Sequence, residues 1–105
     1  MALEVLGGFT NRKRILITPG IIDLGDKQEE YNKELGVQAA KNSDYIILVG
    51  EKQAKPIYEG IKECKYNLKN VFIAKDLNEA LLEMNKIMDE NSVVLFENDL
   101  PDNYL

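Results

Sequence analysis

A short apolar run, YIILV (residues 45–49), lies near the middle of the chain. Three further runs have the same character: RILIT (14–18), NVFIA (70–74) and SVVLF (92–96). Each run is rich in residues that favour β-structure, and its hydrophobicity is continuous rather than alternating, which is typical of strands covered on both faces. The four runs therefore predict four short, buried strands.

Amphipathic stretches separate these runs and predict helices. Their expected starts are Asp26, with Glu29 completing a capping box; Ala54, with Pro56 in the first turn; and Asp76, with Glu79 completing a second capping box. The predicted apolar stripes of the three helices are Tyr31, Leu35 and Ala39; Ile57, Ile61 and Cys64; and Leu77, Leu81, Met84 and Met88. A weaker helical segment, residues 1–6, is expected to stop at Gly7 and Gly8.

The alternation of strands and helices predicts a single domain over residues 1–105 with an α/β fold. Right-handed crossovers would give a Rossmann-like three-layer sandwich, in which a mainly parallel four-stranded sheet carries helices on both faces. Ligands of such sheets sit beyond the carboxyl ends of the strands, so the loops to inspect are residues 19–25, 50–55, 75–76 and 97–105.

Composition excludes several classes of function. The chain has no histidine and one cysteine, Cys64, which excludes an internal disulfide, a Cys/His zinc site and imidazole-dependent catalysis. With 18 acidic and 13 basic residues, the net charge is −5 at pH 7, which argues against nucleic acid or an anionic membrane as a partner. Because no apolar run is long enough to span a membrane, we expect a soluble, cytoplasmic protein.

The loops contain no complete active site. Residues 19–25 hold two glycines and Asp23 but match no phosphate-binding fingerprint, so this loop is either a ligand contact or an ordinary turn. The carboxylates and amides of residues 97–105 could bind a cation or a polar substrate, or form a solvated chain end. Lys52 is interpreted as a solvated charge and Cys64 as a small buried hydrophobe, and no catalytic residue or metal ligand is assigned.

Several segments, taken in order, resemble the C-terminal domain of the Mur ligases, the ATP-dependent enzymes that add amino acids or dipeptides to the cell-wall precursor. The matching segments are residues 2–6 (ALEVL), 14–25 (RILITPGIIDLG), 32–36 (NKELG), 45–50 (YIILVG), 77–81 (LNEAL) and 92–96 (SVVLF). Within the family, the resemblance is to the branch that adds D-alanyl-D-alanine. Two departures indicate a divergent subgroup: Pro19-Gly20 replaces a Gly-Asp pair, and residues 97–103 replace a Lys-Gly-Ser-Arg pattern.

The resemblance implies that the chain is the closing domain of a longer peptidoglycan-precursor ligase and is inactive alone. In the family, ATP, Mg²⁺ and the UDP-linked muramoyl peptide are bound mainly by the N-terminal and central domains, which would be the partners of this chain. Closure would position the amino acid or dipeptide and exclude water from the reaction. We expect a monomer.

Five loop residues are candidate substrate contacts, because of their position at the carboxyl ends of the strands and because their loops correspond to loops of the family. Asp23 would orient the substrate amine, and Asn98 and Asp99 would contact the nucleotide or the amino acid. Asp102 or Asn103 would support that second loop.

Two other hypotheses stay open. The chain could be a free-standing Rossmann-like module that binds a ligand or a protein, or an adapter that binds a basic partner through its acidic surface. The gene sequence upstream of Met1 separates them from the ligase hypothesis, which requires a Walker-type phosphate loop there.

Overall fold

The computed structural model of the chain describes residues 2–21 and 25–97, and in these ranges it contains four parallel strands in one sheet. The strands are β1 (Lys13–Thr18), β2 (Tyr45–Val49), β3 (Val71–Ala74) and β4 (Ser92–Phe96). Each predicted strand is confirmed to within one residue at either end. The order across the sheet is β3-β2-β1-β4, so β1 pairs with β2 on one side and with β4 on the other.

Helices cover both faces of this sheet. They are α1 (Ala2–Gly7), α2 (Gln28–Asn42), α3 (Glu51–Glu63) and α4 (Leu77–Ile87), and short 3₁₀ turns at Gly25–Lys27 and Leu68–Asn70 precede α2 and β3. Successive strand residues point to opposite faces: Leu16 and Leu48 pack under α1, α2 and α3, whereas Ile17 and Ile47 pack under α4. The predicted α/β three-layer sandwich is therefore confirmed.

Two of the predicted helix starts are wrong. Asp26 does not cap α2, because the chain first makes the 3₁₀ turn and Lys27 then occupies the N-cap position without a side-chain hydrogen bond. The helix α3 begins at Glu51 rather than near Ala54, because Gly50 turns the chain with a φ of 92° directly after β2. Pro56 consequently lies in the second turn of α3.

The third predicted start is confirmed by its hydrogen bonds. The Asp76 carboxylate accepts a bond of 2.9 Å from the Glu79 N–H, and the Glu79 carboxylate accepts one of 3.1 Å from the Lys75 N–H. Two backbone donors at the helix N-terminus are thereby satisfied.

The predicted stripe of α2 is confirmed at Ala39 but not at Tyr31 or Leu35. The buried positions are Asn32, Gly36 and Ala39, whereas Tyr31 and Leu35 are half-buried. Small and polar residues therefore occupy the inner face of this helix.

The predicted stripe of α4 is confirmed at Met84, which packs against the core, whereas Leu81 is only half-buried. Ala80 is buried and Met84 and Ile87 pack beside it, whereas Leu77 and Met88 are 52% and 42% exposed. In α3 the predicted Ile57 and Ile61 are confirmed as fully buried, and Cys64, just after the helix, is half-buried.

An ionic cluster holds α1 at the amino edge of the sheet. The Arg14 guanidinium donates to both Asp44 carboxylate oxygens, at 3.0 and 2.9 Å, and to the Gly7 carbonyl oxygen at 3.0 Å. The Arg14 hydrogen bonds lower the pKa of the Asp44 carboxyl group, against the smaller opposing effect of its burial.

Within residues 2–21 and 25–97, no helix combines the length and the apolar character that crossing a membrane requires.

Candidate ligand-binding cleft

An open cleft of about 570 Å³ lies between the first turns of α2 and α3. These helices follow β1 and β2, so the cleft is at the carboxyl edge of the sheet, where ligands of parallel α/β folds bind. One wall carries Asp26, Glu29 and Asn32, and the other carries Lys52, Lys55 and Glu59. We call these six residues with the space between them the α2–α3 cleft.

The two walls of the cleft differ in charge. Asp26 and Glu29 bring two carboxylates from the start of α2, and Lys52 and Lys55 bring two ammonium groups from the start of α3. Within the described part of the chain, no salt bridge joins one wall to the other. The α3 wall also carries the Glu59 carboxylate, which lies 3.9 Å from the Lys62 ammonium group, so its positive charge is concentrated at Lys52 and Lys55. Opposite charges therefore face the same space, an arrangement that suits a ligand carrying both.

The N-termini of α2 and α3 add backbone polarity to the cleft. Free N–H groups in the first turn of a helix favour negative charge, and they stand beside Lys52 and Lys55 on the α3 wall. On the α2 wall, Asp26 and Glu29 offset this effect. The α3 wall is thus the better place for an anionic group and the α2 wall for a cationic one.

The loop after β1 is fixed to α2 by a buried side chain. Asn32 is 0% exposed, and its Oδ1 accepts a 2.7 Å bond from the Ile21 N–H while its Nδ2 donates a 2.8 Å bond to the Ile21 carbonyl oxygen. The amide thus pairs with both backbone groups of one loop residue. We call this pair of bonds the Asn32 clamp.

A second buried side chain fixes the same loop to β4. The Thr18 Oγ1 accepts a 3.0 Å bond from the Gly20 N–H and donates one of 2.5 Å to the Glu97 carbonyl oxygen. Gly20 has a φ of 82°, which favours glycine, so the turn after Pro19 depends on this residue type. The strand order reverses between β1 and β4, and Thr18 bridges the loops at that point.

The five residues predicted to contact substrate, Asp23, Asn98, Asp99, Asp102 and Asn103, lie outside the described residues. The structure therefore brings together none of them and separates none of them. The described residues just before Asp23 and Asn98 are held in place. Ile21 is bonded to Asn32, and the Glu97 N–H donates a 3.0 Å bond to the Ile17 carbonyl oxygen.

Sequence reasoning missed most of the cleft. Lys52 is exposed, as interpreted, but it also lines the cleft, and Lys55 and Glu59 gave no signal of their own. Asn32 offered one sign that could have been used, because an amide one helical turn before the buried Gly36 must find hydrogen-bond partners.

The described ranges also bear on the metal ion that the resemblance implies. No three Cys, Asp or Glu side chains in residues 2–21 and 25–97 come together in a way that could hold a metal ion. No step that involves Mg²⁺ or ATP is therefore assigned to these residues.

Comparisons with protein-family models, with curated proteins and with solved structures gave no match to this chain. The fold and the cleft define the chain as a Rossmann-like α/β domain with a polar, two-signed cleft at the carboxyl edge of its sheet.

Proposed function

We propose that this chain is the closing domain of an ATP-dependent, Mur-type amide ligase and that the α2–α3 cleft receives its amino substrate. Two lines support the proposal: the ordered resemblance of the segments given above, and a fold with the cleft at the edge where such a substrate would enter. In the family, ATP and Mg²⁺ activate the acid substrate, and other domains supply their ligands.

The observation that carries the proposal is the charge arrangement of the cleft. An amino acid or a dipeptide has an ammonium group at one end and a carboxylate at the other. Asp26 and Glu29 would bind the ammonium group, and Lys52 and Lys55 would bind the carboxylate. A substrate of single charge would pair with one of these two groups of side chains and be repelled by the other.

The chain's own residues would contribute orientation rather than chemical activation. A carboxylate held by two lysines fixes one end of the substrate, so that its amine can be presented to an activated acid bound elsewhere. Fixing the reactants in this way removes part of the entropic cost of the reaction. Closing the domain over them would also exclude water, which competes with the amine.

A titration of the isotope-labelled chain with D-alanyl-D-alanine tests the cleft. We expect the amide signals of Asp26, Glu29, Lys52 and Lys55 to shift in a saturable manner. The N-acetylated dipeptide and the dipeptide amide, each lacking one charge, should bind at least about fivefold more weakly. Equal binding of all three compounds, or no shift in the cleft, would rule out the substrate assignment.

Matched lysine variants make the test specific. The double variant Lys52→Gln, Lys55→Gln should weaken dipeptide binding by about fivefold, because it removes both partners of the carboxylate. The control is Lys41→Gln, Lys69→Gln, which changes the net charge equally at exposed positions that do not line the cleft. Equal losses in both double variants would show that only long-range charge matters.

The ligase role has its own test. In the polypeptide that the native gene encodes, a Walker-type loop upstream of this domain is expected, and Lys55→Gln in that enzyme should raise the KM for the amino substrate more than it lowers kcat. Ligase turnover by the isolated chain with magnesium ATP, or a gene without the upstream loop, would contradict the role. In the second case, dipeptide binding would mark a free-standing binding module.

A further inference from the structure

Asn32 is a costly residue to bury, and its position therefore needs an explanation. It is 0% exposed on a helix face whose other inner positions are Gly36 and Ala39. Burying an amide destabilises the folded protein unless the polar atoms of the amide find hydrogen-bond partners. Here both do, since no buried side-chain nitrogen or oxygen among the described residues lacks a hydrogen-bond partner.

The partners of Asn32 belong to a single residue of the loop. Ile21 gives its N–H and its carbonyl oxygen to the same amide, at 2.7 and 2.8 Å. Two bonds to one residue set both the distance of the loop from α2 and the direction in which its backbone runs. A single bond would leave the loop free to rotate about it.

The part of α2 that carries Asn32 is closely packed. One turn further along α2, Gly36 meets the backbone of α3, and Ala39 is fully buried against the sheet. The amide is therefore carried on the closely packed inner face of the helix. Asn32 is also one of the residues around the α2–α3 cleft, with Asp26 and Glu29.

We infer that Asn32 is a positioning residue, which acts through the backbone of Ile21 to set the shape of the α2 wall of the cleft. It holds Ile21, in the loop after β1, against α2, beside the cleft wall that Asp26 and Glu29 form. The side chain is 0% exposed and its amide bonds to Ile21, so its effect on a ligand passes through the loop. The inference rests on the proposed function only for the identity of the ligand.

Two substitutions separate the clamp from simple packing. Asn32→Leu keeps a similar volume but leaves both backbone groups of Ile21 without a partner. Asn32→Asp keeps the shape: its protonated carboxyl group can accept from the N–H and donate to the carbonyl oxygen, whereas its ionised form can only accept. The Asp variant should therefore behave like the native protein at low pH and like Asn32→Leu at neutral pH.

The measurements are made on the 105-residue chain by hydrogen exchange and chemical shift. In Asn32→Leu, exchange of the Ile21 amide should accelerate by about tenfold, and the Asp26 amide signal should move. Exchange in the middle of β1 should stay close to native. The control is Tyr66→Phe, which loses a 3.0 Å bond to the Ser43 carbonyl oxygen at the opposite end of the sheet and should leave Ile21 and Asp26 unaffected.

The pH dependence needs one further control, since other titratable groups face the same space. These are Asp26, Glu29, Glu59, Lys52 and Lys55, and the native chain measured over the same pH range reports their effect. Asn32→Asp should show native-like protection of Ile21 near pH 4 and a loss near pH 7.5. This reversal is a signature that a change in packing alone would not produce.

Each result decides the inference. It is overturned if Ile21 keeps native protection in Asn32→Leu, if Asp26 does not move, or if Asn32→Asp shows no pH-dependent recovery. Dipeptide affinity is measured separately on the same variants and should fall with the loss of Ile21 protection. If the native chain binds no dipeptide, the proposed function fails, while the exchange and shift data still decide the role of Asn32.

Discussion

Gly36 of α2 and Gly60 of α3 form a reciprocal contact, in which each glycine lies against the backbone of the opposite helix. A Cβ atom placed on Gly36 would lie 2.0 Å from the Ile57 carbonyl oxygen, and one placed on Gly60 would lie 2.0 Å from the Lys33 carbonyl oxygen. Because backbone cannot move aside as a flexible side chain can, both positions exclude every larger residue. This contact sets the distance between the two walls of the cleft.

The substitution Gly36→Ala should lower the free energy of unfolding by about 2 kcal/mol. The steric clash of the new methyl group with the backbone destabilises the fold by more than the higher helix propensity of alanine stabilises it. Urea unfolding followed by circular dichroism measures the change. The control is Gly8→Ala, whose Cβ would meet no atom closer than the Val5 carbonyl oxygen at 3.3 Å, and which should change stability by less than about 1 kcal/mol. A Gly36→Ala variant as stable as the control would contradict the contact.

Thr18→Val should destabilise the chain by about 2 kcal/mol, since it leaves the Gly20 N–H and the Glu97 carbonyl oxygen without their shared partner. Thr18→Ser keeps the hydroxyl group and loses only a buried methyl group, so it should cost about 1 kcal/mol. The order of the two variants in urea unfolding is the test. If serine costs more than valine, packing rather than hydrogen bonding dominates at this position.

Asp44→Asn should show a stability loss that depends on pH. The Arg14 guanidinium lowers the pKa of the folded Asp44 carboxyl group below its unfolded value, so the stabilisation is present above the unfolded pKa and is lost as pH falls through the folded one. Because the Asp44 side chain is 44% exposed, we expect only about 1 kcal/mol between pH 5 and 8. Urea unfolding from pH 2 to 8 should show the native and variant curves meeting at the acid end. The exposed variant Glu90→Gln is the control for a general charge effect.

Asp76→Ala should lower the free energy of unfolding by about 1 kcal/mol, because the Glu79 N–H loses its acceptor at the start of α4. Asp76→Asn should be nearly neutral, since asparagine caps helices about as well. Thermal unfolding distinguishes the two variants. Equal losses would show that the charge of Asp76, rather than its hydrogen bond, supports the helix.

The strands could be predicted from the sequence because their signal is local. Continuous apolar runs such as residues 45–49 are buried on both faces whatever surrounds them. The inner faces of α2 and α4 could not be predicted so simply. Gly36 is inside because α3 approaches closely there, and Leu77 is half exposed because α4 presents Ala80 to the sheet instead.

The cleft was hidden from sequence reasoning for a related reason. Its charges come from residues 26–29 and 52–59, which have no common motif and meet only because α2 and α3 cross at the two glycines. Charged residues at a helix start are commonly solvated, so neither group alone indicated a site. The function of Asn32 also depends on a contact eleven positions away, with Ile21.

The place of β4 beside β1 has a consequence for how the chain folds. Thr18 and Glu97 are 79 positions apart, so β1 acquires its second neighbour, β4, only after all of the other described elements have been synthesised. The pairing of β1 with β4 joins the most distant strands of the sheet in sequence. Contacts between residues far apart in sequence form slowly during folding. During translation, one edge of β1 lacks its described partner until β4 emerges from the ribosome. We expect nascent chains that stop before residue 92 to bind chaperones through this exposed edge.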